Sequence, residues 1–388
     1  MSDKHMAELM NRYPAISDLR RRALKRMPHV AREYLESGTT DERAVARNIE
    51  GMANVTLVPK LLKGELKPNT STRLFDREYH APFGIAPVGL AGLMWPRAEC
   101  ILAETAARYS IPYCLSTVAT QTPETTGPLV GDMGWFQLYP PRDREVRRDL
   151  LLRARDSGFT TLVVTVDTPA PSRRERQTRA GLHMPPRITA RFVYEGFCNP
   201  TWTLHTLKAG LPKLRIMEKY AQSSNMATTA MFVAQKMSGT LSWDYLKEVR
   251  EEWQGPIVAK GIQHPEDAEK AIEIGIDAIQ VSNHGGRQFD GAPAAIDLLP
   301  PIVRQVNGRT PVLFDSGVRS GLDIVRTLAL GADFVFLGRA FIYGAAALGR
   351  YGGDHTVEIL LDDLKINMIQ MGFVSLDEIA TYAREQKI

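Results

Sequence analysis

Eight short apolar runs, each leading into an amphipathic stretch, constrain the fold of this chain more than any other feature. They are Phe83–Val88, Pro112–Ser116, Trp135–Tyr139, Thr161–Val166, Pro256–Lys260, Asp277–Ser282, Pro311–Asp315 and Asp333–Gly338. Each is short enough for a strand and carries the apolar core of one buried on both faces. Between them Arg97–Tyr109, Glu145–Ser157, Pro265–Ile274 and Gly321–Leu330 read as helices, several closing on a glycine (Gly158, Gly275, Gly331). Strand–helix alternation makes the strands parallel, because parallel neighbours need a crossover between them. A count of eight predicts a closed (β/α)8 TIM barrel, with an open doubly wound sheet as the alternative. No Gly-x-Gly-x-x-Gly turn follows the first run, which favours the barrel.

The whole chain, residues 1–388, reads as one domain. Its first fifty or so residues read as helices packed on the barrel, one of them closing at Tyr34-Leu35-Glu36-Ser37-Gly38. One connection breaks the rhythm. Nearly ninety residues separate the fourth and fifth runs, and residues 170–225 form an insertion or lid within the barrel domain. Ten Lys or Arg lie between Arg173 and Gln222 (173, 174, 176, 179, 187, 191, 208, 213, 215, 219) against three acids (175, 195, 218), a balance of +7. The whole chain carries only +4, so this segment concentrates positive charge. Phe192, Tyr194, Phe197 and Trp202 are interleaved with it. A solvated insertion, a lid and a membrane-surface patch are all compatible with that composition.

Composition excludes several classes. The 44% hydrophobic and 24% charged content is that of an ordinary soluble enzyme. No run approaches the roughly 20 apolar residues of a membrane span, and Met1–His5 opens no apolar signal core. Cys100, Cys114 and Cys198 are odd in number and far apart, matching neither a disulfide framework nor metal-ligand spacing. A reducing, cytoplasmic setting without a metal is expected. A charge of +4 does not by itself call for nucleic acid.

A barrel enzyme does its chemistry at the carboxyl ends of its strands. Those ends read Pro87-Val88-Gly89, Ser116, Gln137 with Tyr139, Thr165 with Asp167, Lys260, Ser282 with His284, Asp315 with Gly317 and Arg319, and Gly338-Arg339. The richest is Ser282-Asn283-His284-Gly285-Gly286-Arg287-Gln288. An imidazole there takes a proton near neutral pH, glycines let backbone approach a flat ligand, and a guanidinium grips a carboxylate. Gly317, Arg319, Gly338 and Arg339 follow the last two strands, where this architecture holds phosphate. Ser116, Gln137, Thr165 and Ser282 suit the polar edge of a heterocycle, and Lys260 is a fixed cation beside it. A heterocycle with one phosphate and a neighbouring cation points to FMN.

With these motifs the chain resembles the FMN-dependent L-2-hydroxy acid oxidase/dehydrogenase family, from about Tyr13 to the C-terminus. The carriers are Ser282–Gln288, Ala86-Pro87-Val88-Gly89-Leu90, Trp135-Phe136-Gln137-Leu138-Tyr139, Thr165-Val166-Asp167-Thr168-Pro169, Lys260-Gly261, Asp315-Ser316-Gly317-Val318-Arg319 and Leu337-Gly338-Arg339. The resemblance implies His284 as the base that takes a proton from the substrate and Asp167 as the carboxylate that orients it. It implies Arg174 and Arg287 on the substrate carboxylate, with Tyr34 and Tyr139 completing that site. Lys260 would lie beside the flavin N1–C2=O edge. Pro87, Val88, Gly89, Ser116, Gln137, Thr165 and Ser282 would meet the ring, and Asp315, Gly317, Arg319, Gly338 and Arg339 the ribityl chain and phosphate.

Departures sharpen the expectation. Val118 stands where glycolate oxidase carries a pocket Trp, and Thr168-Pro169-Ala170-Pro171-Ser172 is closer to bacterial L-lactate dehydrogenases. Glycolate is therefore not favoured, and L-lactate is the expected substrate. Gly89 stands where the oxidases usually have Ala, as in members that react poorly with oxygen. That implies a quinone or another acceptor, while the +7 segment with its aromatics suggests peripheral contact with the inner face of the cell membrane. An oxygen-using oxidase that makes hydrogen peroxide is the alternative. A barrel that holds FMN without net oxidation is another, though it would not need two carboxylate-gripping arginines beside a base. Family resemblance also implies a homo-oligomer, a tetramer.

Overall fold

A computed structural model describes residues 3–182, 190–237 and 241–385. Eight parallel strands close into a barrel. They are β1 (Phe83–Ile85), β2 (Tyr113–Ser116), β3 (Gly134–Leu138), β4 (Thr161–Thr165), β5 (Ile257–Ile262), β6 (Ala278–Val281), β7 (Val312–Phe314) and β8 (Phe334–Leu337). Closure comes from β8 lying parallel to β1, with Val335 opposite Phe83 and Leu337 opposite Ile85. Every strand expected from the sequence is present. The helices Ala98–Tyr109, Arg144–Asp156, Pro265–Glu273 and Gly321–Ala329 fall within a residue or so of their expected limits.

Strand period explains how the barrel positions its chemistry. Alternate residues point inward. Cys114, Trp135, Val163, Val258, Ala278, Leu313 and Phe334 form an apolar layer inside the barrel. Two residues further along those strands stand Ser116, Gln137, Thr165, Lys260, Gln280, Asp315 and Phe336. The same inward parity that packs the floor thus raises a mostly polar ring at the carboxyl end.

The floor has a lid of its own, which the sequence reading did not anticipate. Thr72–Leu74 and Arg77–Tyr79 pair antiparallel, with Thr72 opposite Tyr79. The two turn residues, Phe75 and Asp76, have φ of 50° and 61°, the left-handed pair that a two-residue hairpin needs. Tyr79 is buried against Phe334 with ring centroids 5.6 Å apart, and its hydroxyl accepts from Trp135 Nε1 at 3.3 Å. The hairpin closes the barrel opposite the polar ring.

Four helices precede it: Asp3–Arg12, Ile16–Arg26, His29–Glu36 and Arg43–Asn54. The last buttresses the loop after β6. Asn48 and Asn283 exchange side-chain amide bonds of 2.8 and 2.7 Å, both fully buried.

The insertion between β4 and β5 is helical and longer than expected. It holds Glu175–Arg179, Ala190–Cys198, Pro200–Ala209 and Arg215–Ala221, and continues past residue 225 as Met226–Lys236. Part of its positive charge is paired with acids of the protein itself. Arg176 pairs with Glu33 and Glu42, Arg173 with Glu175, and Lys219 with Asp149. Arg187 lies outside the described residues. Trp202 is not a surface aromatic: it is buried and donates to the Leu93 carbonyl at 3.0 Å. Tyr194 and Phe197 are exposed, and they share their two helices with exposed Val193, Leu204 and Leu207.

Candidate active site

A cavity of about 690 Å³ opens at the carboxyl end of the barrel, within the range of sites that enclose a cofactor and a small ligand. Nearly every expected site residue lines it: Tyr34, Pro87, Val88, Gly89, Gln137, Tyr139, Thr165, Arg174, Lys260, His284, Arg287, Asp315, Gly317, Arg319, Gly338 and Arg339. Three stand behind this lining. Asp167 lies behind His284, while Ser116 and Ser282 turn their hydroxyls onto neighbouring side chains.

His284 occupies a left-handed turn (φ 58°), its amide donating to Ser282 Oγ at 3.0 Å. Its Nδ1 meets Asp167 Oδ1 at 2.9 Å, and its Nε2 meets the Tyr139 hydroxyl at 3.3 Å. A carboxylate at Nδ1 fixes the tautomer with the proton there, leaving Nε2 as a free base toward the cavity. Burial pushes the imidazole below its usual value. Asp167 opposes that, while the charges of Lys260 and Arg174 reinforce it. The histidine is therefore neutral at physiological pH. Burial alone would raise the Asp167 carboxyl, but His284 and Lys260 outweigh it and hold it below its ordinary range. Room for Asp167 comes from Gly261, since a Cβ there would lie 2.5 Å from Asp167 Cγ. The Lys260-Gly261 pair thus serves both sides of the site.

Lys260 is buried, with Nζ 3.0 Å from Asp315 Oδ2 and 3.2 Å from Ser282 Oγ. Burial opposes its charge, yet Asp315 and then Asp167 raise it above the ordinary lysine value. It is a permanent cation. Asp315 also accepts from Gln280, Ser282 and Ser316, so it acts here as the partner of Lys260. Ser116 Oγ, Gln137 and Thr165 Oγ1 form a buried chain with links of 2.9 Å.

Four arginines face the cavity without a carboxylate partner among the described residues. Arg174 donates to Ser172 Oγ at 2.8 Å and to Gln288 Oε1 at 3.1 Å. Arg287 donates to the carbonyls of Tyr34 and Ser37, and its guanidinium lies 5.1 Å from the centre of the Tyr34 ring. Arg339 donates to the carbonyls of Leu35, Ser37 and Gly285, and Arg319 to that of Val318. Burial, then the charge of Arg174, pulls Arg287 down to about 9. Burial, then Arg319, pulls Arg339 to about 10. Guanidinium does not give up its proton in proteins, so these shifts mark positive charge that an anion would relieve. Arg174 and Arg287 flank His284, and Arg319 and Arg339 follow β7 and β8. The two pairs suit a carboxylate and a phosphate respectively. Together with Lys260 and the neutral chain from Ser116 to Thr165, this donor set fits FMN.

Tyr34 donates to the Gly89 carbonyl at 3.1 Å. A Cβ at Gly89 would lie 2.7 Å from Val118 Cγ2, so the loops after β1 and β2 touch at that glycine. The sequence reading missed Ser172 and Gln288, which hold Arg174. It also missed an apolar wall from the insertion: Leu182, Leu214, Met226, Ala230, Val233 and Met237. Met226, Ala230, Val233 and Met237 do carry a helical spacing in the sequence, but spacing alone does not tell which surface a helix covers.

Comparison with known proteins agrees with the geometry. The family model for FMN-dependent dehydrogenases matches residues 23–385. The L-lactate dehydrogenase of Caulobacter sp. (strain K31) is 38% identical over 365 residues, 94% of this chain and 96% of that protein. That of Xanthomonas campestris pv. campestris (strain 8004) is 39% identical over 368 residues, 94% of this chain and 95% of that protein. Among solved structures, the monotopic membrane protein (S)-mandelate dehydrogenase superposes with a TM-score of 0.89 at 33% identity, covering 94% of this chain and 97% of its own. A Pediococcus acidilactici chain described as a putative lactate oxidase gives 0.83 at 28% identity, covering 95% of this chain and 93% of its own. The chain belongs to the family of FMN-dependent dehydrogenases, and FMN is its cofactor.

Proposed function

We propose that this protein oxidises an L-2-hydroxy acid, with L-lactate among its substrates, to the 2-oxo acid and passes the electrons to a quinone rather than to oxygen. The observation that carries the reading is a neutral histidine beside two arginines that no acid among the described residues pairs with. Arg174 and Arg287 would grip the carboxylate, each with a planar fork. Tyr34 and Tyr139 would border the hydroxyl carbon. His284 Nε2 would take a proton from the substrate, and Asp167 would stabilise the imidazolium so formed. Lys260, Gln137 and Thr165 would meet the flavin, Arg319 and Arg339 its phosphate. Bound FMN supplies the two-electron acceptor that turns the hydroxyl carbon into a carbonyl. Tyr139, pushed up to about 12 chiefly by burial, stays protonated and can donate throughout the working range.

A quinone is lipid-soluble, so its reduction calls for approach to a bilayer. No helix of the described residues is long and apolar enough to cross one. The helices Ala190–Cys198 and Pro200–Ala209 instead expose Val193, Tyr194, Phe197, Leu204 and Leu207, with Leu211 just beyond. Exposed Lys208 lies among them. Several apolar side chains beside a cation form a surface that can lie in a membrane interface.

The test is anaerobic. L-Lactate should bleach the yellow holoenzyme, and a quinone analogue should restore the colour far faster than air does. The protein should sediment with anionic vesicles, and F197S/L207S should release it while turnover with a soluble dye persists. Fast peroxide formation with no vesicle binding would leave an oxygen-using oxidase instead.

A further inference from the structure

We infer that the site prefers an L-2-hydroxy acid with a bulky apolar side chain, seated against the helix Met226–Lys236. The inference rests on the 2-hydroxy acid assignment above and names the substrate class within it. Met226, Ala230, Val233 and Met237 recur at helical spacing and all line the cavity that His284, Arg174 and Arg287 share. No charged or hydrogen-bonding side chain of that helix joins them there. With the carboxylate held by the arginines and the hydroxyl by His284, the remaining carbon chain meets this wall.

The wall is both fixed and roomy. Asn225 caps the helix, its side chain accepting from the amides of Ala227 and Thr228 at 2.8 and 3.4 Å. At the far end the Lys236 carbonyl accepts from the Arg142 amide at 2.9 Å, tying the helix to the segment after β3. Val118, Ala170, Ala230 and Ala234 are all small. Met226 and Met237 bend to fit irregular apolar groups. Met226 and Val233 are only half-buried, so the methyl of L-lactate would leave them partly open, whereas a longer aliphatic or aromatic group would cover them.

The experiment compares kcat/KM of the holoenzyme for L-lactate and L-2-hydroxyisocaproate with a soluble dye as acceptor. Because one methylene in an apolar pocket changes discrimination roughly 10-fold or more, the branched acid should lead by at least about 10-fold. Val233→Phe, at a half-buried position of the wall, fills it and should cut that ratio by about 10-fold or more. Val233→Thr keeps the shape but adds a hydroxyl at a half-buried position, and should lower the ratio, with a thermal melt to check that it folds. Preference for L-lactate, or a ratio unmoved by both variants, overturns the inference. So does an unmoved ratio with slowed reoxidation by a quinone analogue, which would assign the wall to the acceptor. Turnover of neither acid would instead overturn the 2-hydroxy acid assignment.

Discussion

Replacing Asp167 by Asn is the sharpest probe of the proposed chemistry. The change removes one negative charge and almost no volume, which matters because Gly261 leaves no room for a larger side chain. Asn can still accept a hydrogen bond from Nδ1, so the ring need not move. What is lost is the attraction between carboxylate and imidazolium. With Nδ1 and Oδ1 2.9 Å apart, the charge centres lie about 4 Å apart. At an effective dielectric of about 20 that attraction is about 4 kcal/mol. It acts only once the ring is charged, so all of it falls on the proton-transfer barrier. The expected loss is roughly 10³-fold. The assay is anaerobic rapid mixing with L-lactate, following the bleaching of bound FMN, whose visible absorbance also reports its retention. A second signature concerns pH. His284 lies below its ordinary value because burial outweighs Asp167, and Asp167 is the group that holds it up. The neutral base persists as pH falls until the imidazole titrates, so the native acid limb should lie below about 6.5. Removing the carboxylate moves that limb to still lower pH even as the plateau falls. A variant within about fivefold of native rate at the plateau, far short of the expected drop, and with an unshifted limb, would refute the role given to Asp167.

Other substitutions test the neighbouring parts. His284→Gln should keep its FMN and lose roughly 10²–10⁴-fold in the same bleaching step; near-native bleaching would remove it as the base. Arg287→Lys keeps the charge but loses the fork and one of the two ties to the Tyr34 and Ser37 carbonyls. Substrate KM should rise, and equal affinity of the native enzyme for hydroxy acids and their amides would contradict the assignment. Gly89→Ala places a Cβ 2.7 Å from Val118 Cγ2. Turnover should fall and partly recover when Val118→Ala is added, and strict additivity of the two changes would deny the contact.

The barrel was readable because its signal is local. Buried parallel strands are runs of Val, Ile, Leu and Phe, and the polar residue that ends most of them is the one the parity turns toward the cavity. Lys260 illustrates this, since an isolated lysine closing Ile257-Val258-Ala259 has few explanations other than a site. The hairpin at Thr72–Tyr79 escaped because Phe75-Asp76 is not a turn pair that sequence marks. Packing of Phe75 against Trp135, 5.7 Å away across sixty residues, holds it. Part of the insertion's charge is paired in a way the sequence does not show, for a similar reason. Arg176 and Lys219 look free in a line of letters, yet their acids come from Glu33, Glu42 and Asp149 on other helices. Trp202, interleaved with those basic residues in sequence, is buried because the fold places the Leu93 carbonyl beside it. Long-range partners, not local propensity, decide each of these cases.

The four arginines that face the cavity have a consequence for the lifetime of the protein. Like charges held close in a partly buried space oppose the folded state unless an anion joins them. A ligand that binds only the native chain adds RT ln(1 + [L]/Kd) to its stability, about 2.7 kcal/mol at a hundred times Kd. Resistance to heat and proteases should therefore track the supply of flavin phosphate and of carboxylate ligand. A cell short of riboflavin would lose the polypeptide as well as its activity, so that abundance reports cofactor availability without any dedicated sensor.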